Sequence, residues 1–308
     1  MMRSILLWLS RNKTLRGWTV SWGLARRAAR RFVAGETIEE AIQAIRDLNA
    51  LGITATLDHL GENVETAQDA ARATDDYLKA LDAIGVSGMQ SHVSVKLSAL
   101  GLDLGNELCR TNMTRILAKA KAIGTLVTID MESTEYTERT LAIFRELRCE
   151  FSNVGIVIQA YLYRSEADIA ALCKEGAHVR LCKGAYKEPP VHAFPKKADV
   201  DANYVRLMKM LLSPEARANK TYGAIATHDV RMIDATRQYS QEQMVPRDEF
   251  EFQMLHGIRR DLQKGLAADG YGMRVYVPYG TEWYPYYVRR LAERPANIWF
   301  IVSNFFRR

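Results

Sequence analysis

The strongest constraint in this chain is a rhythm. Eight short β-branched or apolar runs recur along it: GITATLDHL, HVSVKLSAL, LVTIDME, VGIVIQAYL, HVRLCKGAY, YGAIATHD, FEFQMLHG and RVYVPYG. Between them, stretches such as ETAQDAARATDDYLKALDAIG (Glu65 to Gly85) and YTERTLAIFRELRCE place apolar residues three and four positions apart, the spacing of one helix face. Strand then helix, eight times over, closes a parallel sheet on itself. The predicted fold class is therefore α/β, a (βα)8 barrel of the TIM type, and 308 residues suit one such domain. No Pro/Gly/Ser linker or low-complexity tract divides the chain. We read residues 1–50 as an N-terminal helical extension of two or three helices packed on the barrel, and residues 51–308 as the barrel.

A parallel barrel carries its chemistry at the carboxyl ends of its strands. In each run the apolar part comes first and polar residues close it: Asp58, Lys96, Asp130, Gln159, Arg180 with Lys183, Thr227 with His228, Gln253 with His256, and Tyr276 with Tyr279. A barrel with only a structural task has no reason to gather ionisable groups at one rim, so the pattern predicts an active site there.

Composition excludes several classes. Apolar residues at 48% and charged residues at 25% belong to a soluble globular chain rather than a disordered or fibrous one. The four cysteines are far apart, with no C-x-x-C pair, and read as reduced thiols of a cytoplasmic protein. Seven arginines and one lysine precede the first acidic residue, Glu36, so the net charge of +6 combines +8 in that arm with −2 over the rest. The charge belongs to the arm, and nucleic acid is not the implied partner. MMRSILLWLSRNKTLRGW holds an apolar run too short for a secretion signal or a membrane span. An amphipathic basic helix on an anionic membrane and an ordinary first helix with solvated arginines both fit it.

Taken singly, the rim residues leave alternatives open. Lys96 or Lys183 suits a Schiff-base lysine or a barrel-end charge paired to Asp130. Six histidines form no metal-ligand spacing, and neither G-x-G-x-x-G nor G-x-x-x-x-G-K-[ST] occurs. Arg289 and Arg290 in RRLAER fit a solvated helix face, with Glu293 four residues past Arg289, or a grip on a ligand carboxylate beside the helix flank.

Taken together, SVKLS, TIDMES, VIQAYLYR, VRLCKGAY, ATHD, EFQMLHG, YVPYG and WYPYYVRRLAERPAN, in that order, resemble proline dehydrogenase in its short monofunctional bacterial form. The resemblance implies a distorted (βα)8 barrel with non-covalent FAD, L-proline stacked on the flavin, and a C-terminal helix over the active site. It places Arg289, Arg290 and Lys96 on the proline carboxylate, Tyr276, Tyr286 and Leu255 around the ring, and Asp130 beside the lysine as its pairing partner. Arg180 falls beside flavin N5, followed by Lys183, Gly184 and Ala185 as FAD contacts. Met131, Gln159, Thr227 and His228 complete the cofactor set, Glu293 supports the arginine helix, and Glu62 forms a gate ion pair with Arg289.

The implied reaction is hydride transfer from proline to flavin, giving Δ1-pyrroline-5-carboxylate, with Arg180 and Lys183 stabilising the reduced cofactor's negative charge. Electrons would pass to a membrane quinone, and the basic arm with the terminal FFRR would make peripheral contact with an anionic leaflet. Two positions depart from the family pattern: Asp229, where many relatives carry Asn, and Lys187, where an apolar residue is common. A Schiff-base aldolase barrel and a non-enzymatic binding module are the rival expectations.

Overall fold

The computed structural model describes residues 29–62 and 64–293, the side chains of residues 291–293 excepted. Eight strands form a closed barrel in sequence order: β1 (Thr54–His59), β2 (Ser91–Val95), β3 (Val127–Ile129), β4 (Val154–Gln159), β5 (His178–Cys182), β6 (Tyr222–Ala226), β7 (Phe250–Leu255) and β8 (Gly272–Tyr279). Every neighbouring pair is parallel, and β8 closes on β1 with Tyr276 opposite Thr56. Each of the eight runs picked out by pattern contains one strand.

The helices are α1 (Ile38–Asn49), α2 (Ala67–Ser87), α3 (Asn106–Ala122), α4 (Thr134–Arg148), α5 (Ser165–Lys174), α6 (Lys197–Leu211), α7 (Pro214–Ala218), α8 (Val230–Glu242), α9 (Arg260–Ala268) and α10 (Trp283–Glu293). Local sequence sets their ends. Thr37 and Glu40 close a capping box at the start of α1, while Thr66 caps α2 and Gly88 ends it in the left-handed region. Of the two or three helices expected ahead of the barrel, α1 lies among the described residues; residues 1–28, with most of the basic arm, and the terminal FFRR lie outside them.

The strands obey a two-residue alternation that most buried parallel strands lack. One face is apolar and packs beneath the helices: Leu57, Val93, Ile129, Ile156, Val179, Phe252 and Val275 are all buried in one continuous core. The other face points into the barrel and is polar, with Asp58, Ser94, Asp130, Gln159, Arg180, Gln253, Arg274 and Tyr276. Burying polar groups costs several kcal/mol unless they are hydrogen-bonded, so the interior must be a network. At the amino end of the strands Arg274 donates to Glu251 at 2.8 Å, and the His178 ring stacks on Tyr222 at 4.7 Å. Nearer the carboxyl ends the network becomes the site.

Candidate active site

Asp130 is the hub. Its Oδ1 accepts from Arg180 Nη1 at 2.8 Å and from the Ser94 hydroxyl at 2.8 Å, and its Oδ2 accepts from the Tyr276 hydroxyl at 2.8 Å. Side chains from β2, β5 and β8 thus converge on the residue that follows β3, a convergence only barrel closure provides. The Arg180 guanidinium also lies 5.4 Å over the Tyr276 ring. Burial, with the Asp130 and Asp58 carboxylates close by, pushes the Tyr276 hydroxyl well above its ordinary value, so it stays a donor. Arg180 is 5% exposed, and its Nε and Nη2 are buried without a hydrogen-bond partner.

A second buried pair stands beside it. Lys96 Nζ lies 3.2 Å from Asp58 Oδ2, and the Tyr77 hydroxyl approaches the other Asp58 oxygen at 3.4 Å. This corrects the expected pairing of the lysine with Asp130. Strand register is the reason: Asp58 sits opposite Ser94, so Lys96, two residues on, projects from the same inward face of the adjacent strand, while Asp130 is taken by Arg180. Burial alone would lower the Lys96 ammonium, but the Asp58 and Asp130 carboxylates more than reverse this and hold it above its ordinary range.

Beside the Lys96 pair runs α10. Residues 286, 289 and 290 share one flank of it, and residues 283, 284, 287 and 288 share another. Arg289 donates to Glu62, in the loop after β1, at 2.7 Å, and the Arg290 guanidinium lies 5.1 Å over the Tyr286 ring. A cavity of about 550 Å3 opens here, lined among others by Glu62, Lys96, Tyr286 and Arg289, so the structure brings the arginine helix and the strand-end lysine to one space. A larger groove of about 690 Å3 runs between α5 and α6 on the outer helical layer, away from these groups.

The remaining expected residues ring the same end of the barrel. Gln159 donates to the Glu132 carbonyl at 2.7 Å, and Met131 is buried next to Asp130. The Thr227 hydroxyl accepts from the Asp229 N–H, His228 Nε2 accepts from the Leu255 N–H at 2.9 Å, and Leu255 itself is half-buried. Gly184 has φ +112°, and a Cβ there would fall 2.2 Å from the Tyr161 ring, so only glycine passes. Ala185 follows it. Glu293 ends α10, and its side chain lies outside the described residues.

Lys183 lies among carboxylates at the same end of the barrel. Its ammonium bonds Asp201 and, at 2.8 Å, Asp229, within a cluster that Lys197 and Arg231 complete. Two carboxylates already surround it, whereas Arg180 keeps two buried nitrogens without a hydrogen-bond partner.

Three comparisons bear on this geometry. The sequence model of the family described as proline dehydrogenase matches residues 41–302. The chain belongs to the proline dehydrogenase family. It is 44% identical to proline dehydrogenase 1 of Bacillus subtilis strain 168 over 308 residues, covering 100% of both chains. It is 45% identical to the proline dehydrogenase of Deinococcus radiodurans over 291 residues, 93% of this chain and 91% of that one. Among solved structures, proline utilization A of Bdellovibrio bacteriovorus inactivated by N-propargylglycine superposes with a TM-score of 0.83 at 26% identity, covering 98% of this chain and 39% of that one. The chain thus matches the whole length of the Bacillus protein but about two-fifths of the longer proline utilization A chain, and its closed parallel barrel is the family's fold.

Several members of the site escaped sequence reasoning. Asp58 stood among the strand-end residues, but nothing in the sequence says which lysine it meets. Ser94 gave no signal beyond its inward parity. Glu132 is buried and accepts from both the Ser98 N–H and hydroxyl, and Tyr186 sits within electrostatic reach of Lys96, Glu62 and Arg289. Asp201, on α6, is too distant in sequence from Lys183 for any local pattern to link them. Among the described residues no cluster of His, Cys, Asp or Glu could hold a metal ion.

Proposed function

We propose that this family member catalyses the first step of proline catabolism, the FAD-dependent oxidation of L-proline to Δ1-pyrroline-5-carboxylate, with electrons delivered to a membrane quinone. The single observation that carries the reading is the pairing of a buried Arg180, two of its donors unpartnered, with an arginine helix across one barrel mouth. Donors buried without partners cost free energy unless a ligand acceptor meets them, and a flavin ring edge, rich in acceptors, fits that requirement. The glycine passage at Gly184 fits a cofactor lying along the backbone after β5.

FAD, when bound, supplies the hydride acceptor that no side chain provides. Met131, Gln159, Arg180, Lys183, Gly184, Ala185, Thr227, His228 and Glu293 would hold it. Arg289 and Arg290 grip the proline carboxylate, with Lys96 a further cation on the opposite wall. Tyr276, Tyr286 and Leu255 enclose the small apolar ring and exclude water around it. With FAD bound, ring carbon C5 would give up hydride to it and the ring nitrogen would release its proton to water, so that the C–N bond becomes double. Asp130 keeps Arg180 oriented through this change, and Glu62 closes the mouth by pairing with Arg289.

The Schiff-base rival is weaker on specific grounds. A nucleophilic lysine must reach its neutral form, and Lys96 is instead paired with the buried Asp58 carboxylate, while Lys183 is tied up by Asp201 and Asp229. The test is direct. Purified protein should be yellow, and its flavin absorbance should bleach on anaerobic addition of proline, with a cyclic imine product trapped by an aromatic aminoaldehyde. A colourless chain that borohydride cross-links to an aldehyde substrate would replace this reading with the aldolase one. Liposome binding that ignores anionic lipid content would remove the membrane contact assigned to the basic arm.

A further inference from the structure

The flank of α10 turned away from Arg289 and Arg290 is occupied by the chain's own residues 29–36. Phe32 and Val33 are buried with Leu60, Trp283, Tyr284, Tyr287 and Val288 in a cluster separate from the barrel core, which Tyr286 of the arginine flank also joins, with the Phe32 and Tyr287 rings 6.1 Å apart. Three hydrogen bonds fix this strap, two to the end of β8 and the turn after it and one to the first residue of α10. The Ala34 N–H donates to the Pro278 carbonyl at 2.9 Å, the Gly280 N–H to the Gly35 carbonyl at 3.0 Å, and the Trp283 indole N–H to Glu36 Oε1 at 3.0 Å. On its other side the strap presses on the loop after β7: a Cβ at Gly257 would lie 1.6 Å from the Arg31 carbonyl oxygen, so no side chain fits between them. The strap is wedged between that loop and α10.

We propose that Glu36 is a positioning residue for substrate binding, acting through Trp283 to set the angle at which α10 presents its two arginines. This rests on the carboxylate role given to Arg289 and Arg290 above. The leverage is geometric. A helix of 11 residues has little stability of its own, so its angle comes from what it packs against. Arg289 lies six residues, about 9 Å, beyond Trp283 along the axis, so a tilt of about 6° at the helix start carries the arginine by about 1 Å. A displacement of about 1 Å in a positioning group is enough to cost up to about a hundredfold in rate or binding. The indole N–H to carboxylate bond is charge-assisted and anchors the first turn, where the lever begins.

Full-length, flavin-loaded Glu36→Ala, Glu36→Gln, Trp283→Phe and Glu36→Ala/Trp283→Phe variants test this. Three readouts are needed: equilibrium binding of cyclopentanecarboxylate, which has the ring and the carboxylate but no oxidisable amine; KM and kcat for proline; and flavin content with Tm. Glu36→Ala and Trp283→Phe should each weaken carboxylate binding and raise KM by about tenfold, the scale of one hydrogen bond to a charged group. Their kcat and flavin content should stay near wild type. Glu36→Gln, whose amide oxygen still accepts, should resemble wild type, and the double variant should be no worse than either single one. Unchanged carboxylate affinity with only a lower Tm would overturn the proposal, since the strap would then serve stability alone. Parallel loss of flavin and of carboxylate would do the same. A wild-type chain that does not bind cyclopentanecarboxylate would instead remove the arginine assignment, and this inference with it.

Discussion

Arg180 Nη1 and Asp130 Oδ1 stand 2.8 Å apart at the centre of the barrel mouth, one strand contributing the cation and another, two strands away, the anion. Asp130 holds three donors at once, whereas Arg180 spends only one of its nitrogens on this pair. The carboxylate therefore orients the arginine and leaves the rest of the guanidinium available to a ligand.

Replacing Asp130 by Asn keeps the shape but leaves the Arg180 charge buried without a counterion. Breaking one side of a buried pair costs about 3–5 kcal/mol. Urea unfolding of Asp130→Asn should show a loss of that order, together with a fall in kcat. A loss below about 1 kcal/mol would mean that another anion compensates Arg180.

The Lys96 pair makes a separable prediction. Asp58→Asn should destabilise by about 3–5 kcal/mol, because it strands a buried ammonium, while the joint Asp58→Leu/Lys96→Met variant should recover most of that loss. The same Asp58→Asn change should let Lys96 titrate at lower pH and become open to reductive methylation. If Asp130→Asn released Lys96 instead, the pairing described here would be wrong.

Arg290→Ala removes one half of the carboxylate grip and should weaken proline binding by about 2–5 kcal/mol, read as a rise in KM with flavin retained. Glu62→Gln frees Arg289 from its 2.7 Å partner without removing the arginine. Faster release of a bound ring carboxylate, measured by stopped flow, is the expected result; an unchanged off-rate would deny Glu62 any gating role.

Acid stability should fall in two stages. Burial, reinforced by the Arg274 and Arg180 charges and opposed by Glu251, holds His178 neutral with its pKa down at about 4. The unfolded chain titrates this group near about 6.5. Between those values the unfolded state binds more protons, so stability falls by roughly 3 kcal/mol as pH drops through the window. Asp229 has the opposite charge type and the same sense. Hydrogen bonds from Arg231 and Lys183 outweigh partial burial and hold its carboxyl far below the ordinary range. Its contribution is complete above about pH 4 and is lost only below it. Denaturant midpoints against pH should show both limbs. His178→Phe, which keeps the stack on Tyr222, should shrink the upper one, leaving the share of His92 and His256, whose pKa values desolvation lowers as well, and added salt should flatten mainly the lower one, because the Asp229 cluster is partly solvated.

The sequence by itself determined the barrel and most of the ingredients at its mouth. Strand and helix periods are local properties, so eight β-branched runs separated by amphipathic segments leave one economical closure. The polar residues that close each run also marked Asp58, Lys96, Asp130, Arg180 and Tyr276 as members of one end. What the sequence could not decide was partnership. Lys96 takes Asp58 and Arg180 takes Asp130 because of strand register and barrel curvature, quantities set by the packing of the whole sheet. Lys183 meets Asp201 through a helix folded back across the rim. Tertiary structure alone joined residues 29–36 to α10, since a contact between Glu36 and Trp283 exists only once the barrel has closed and brought the two ends of the chain together.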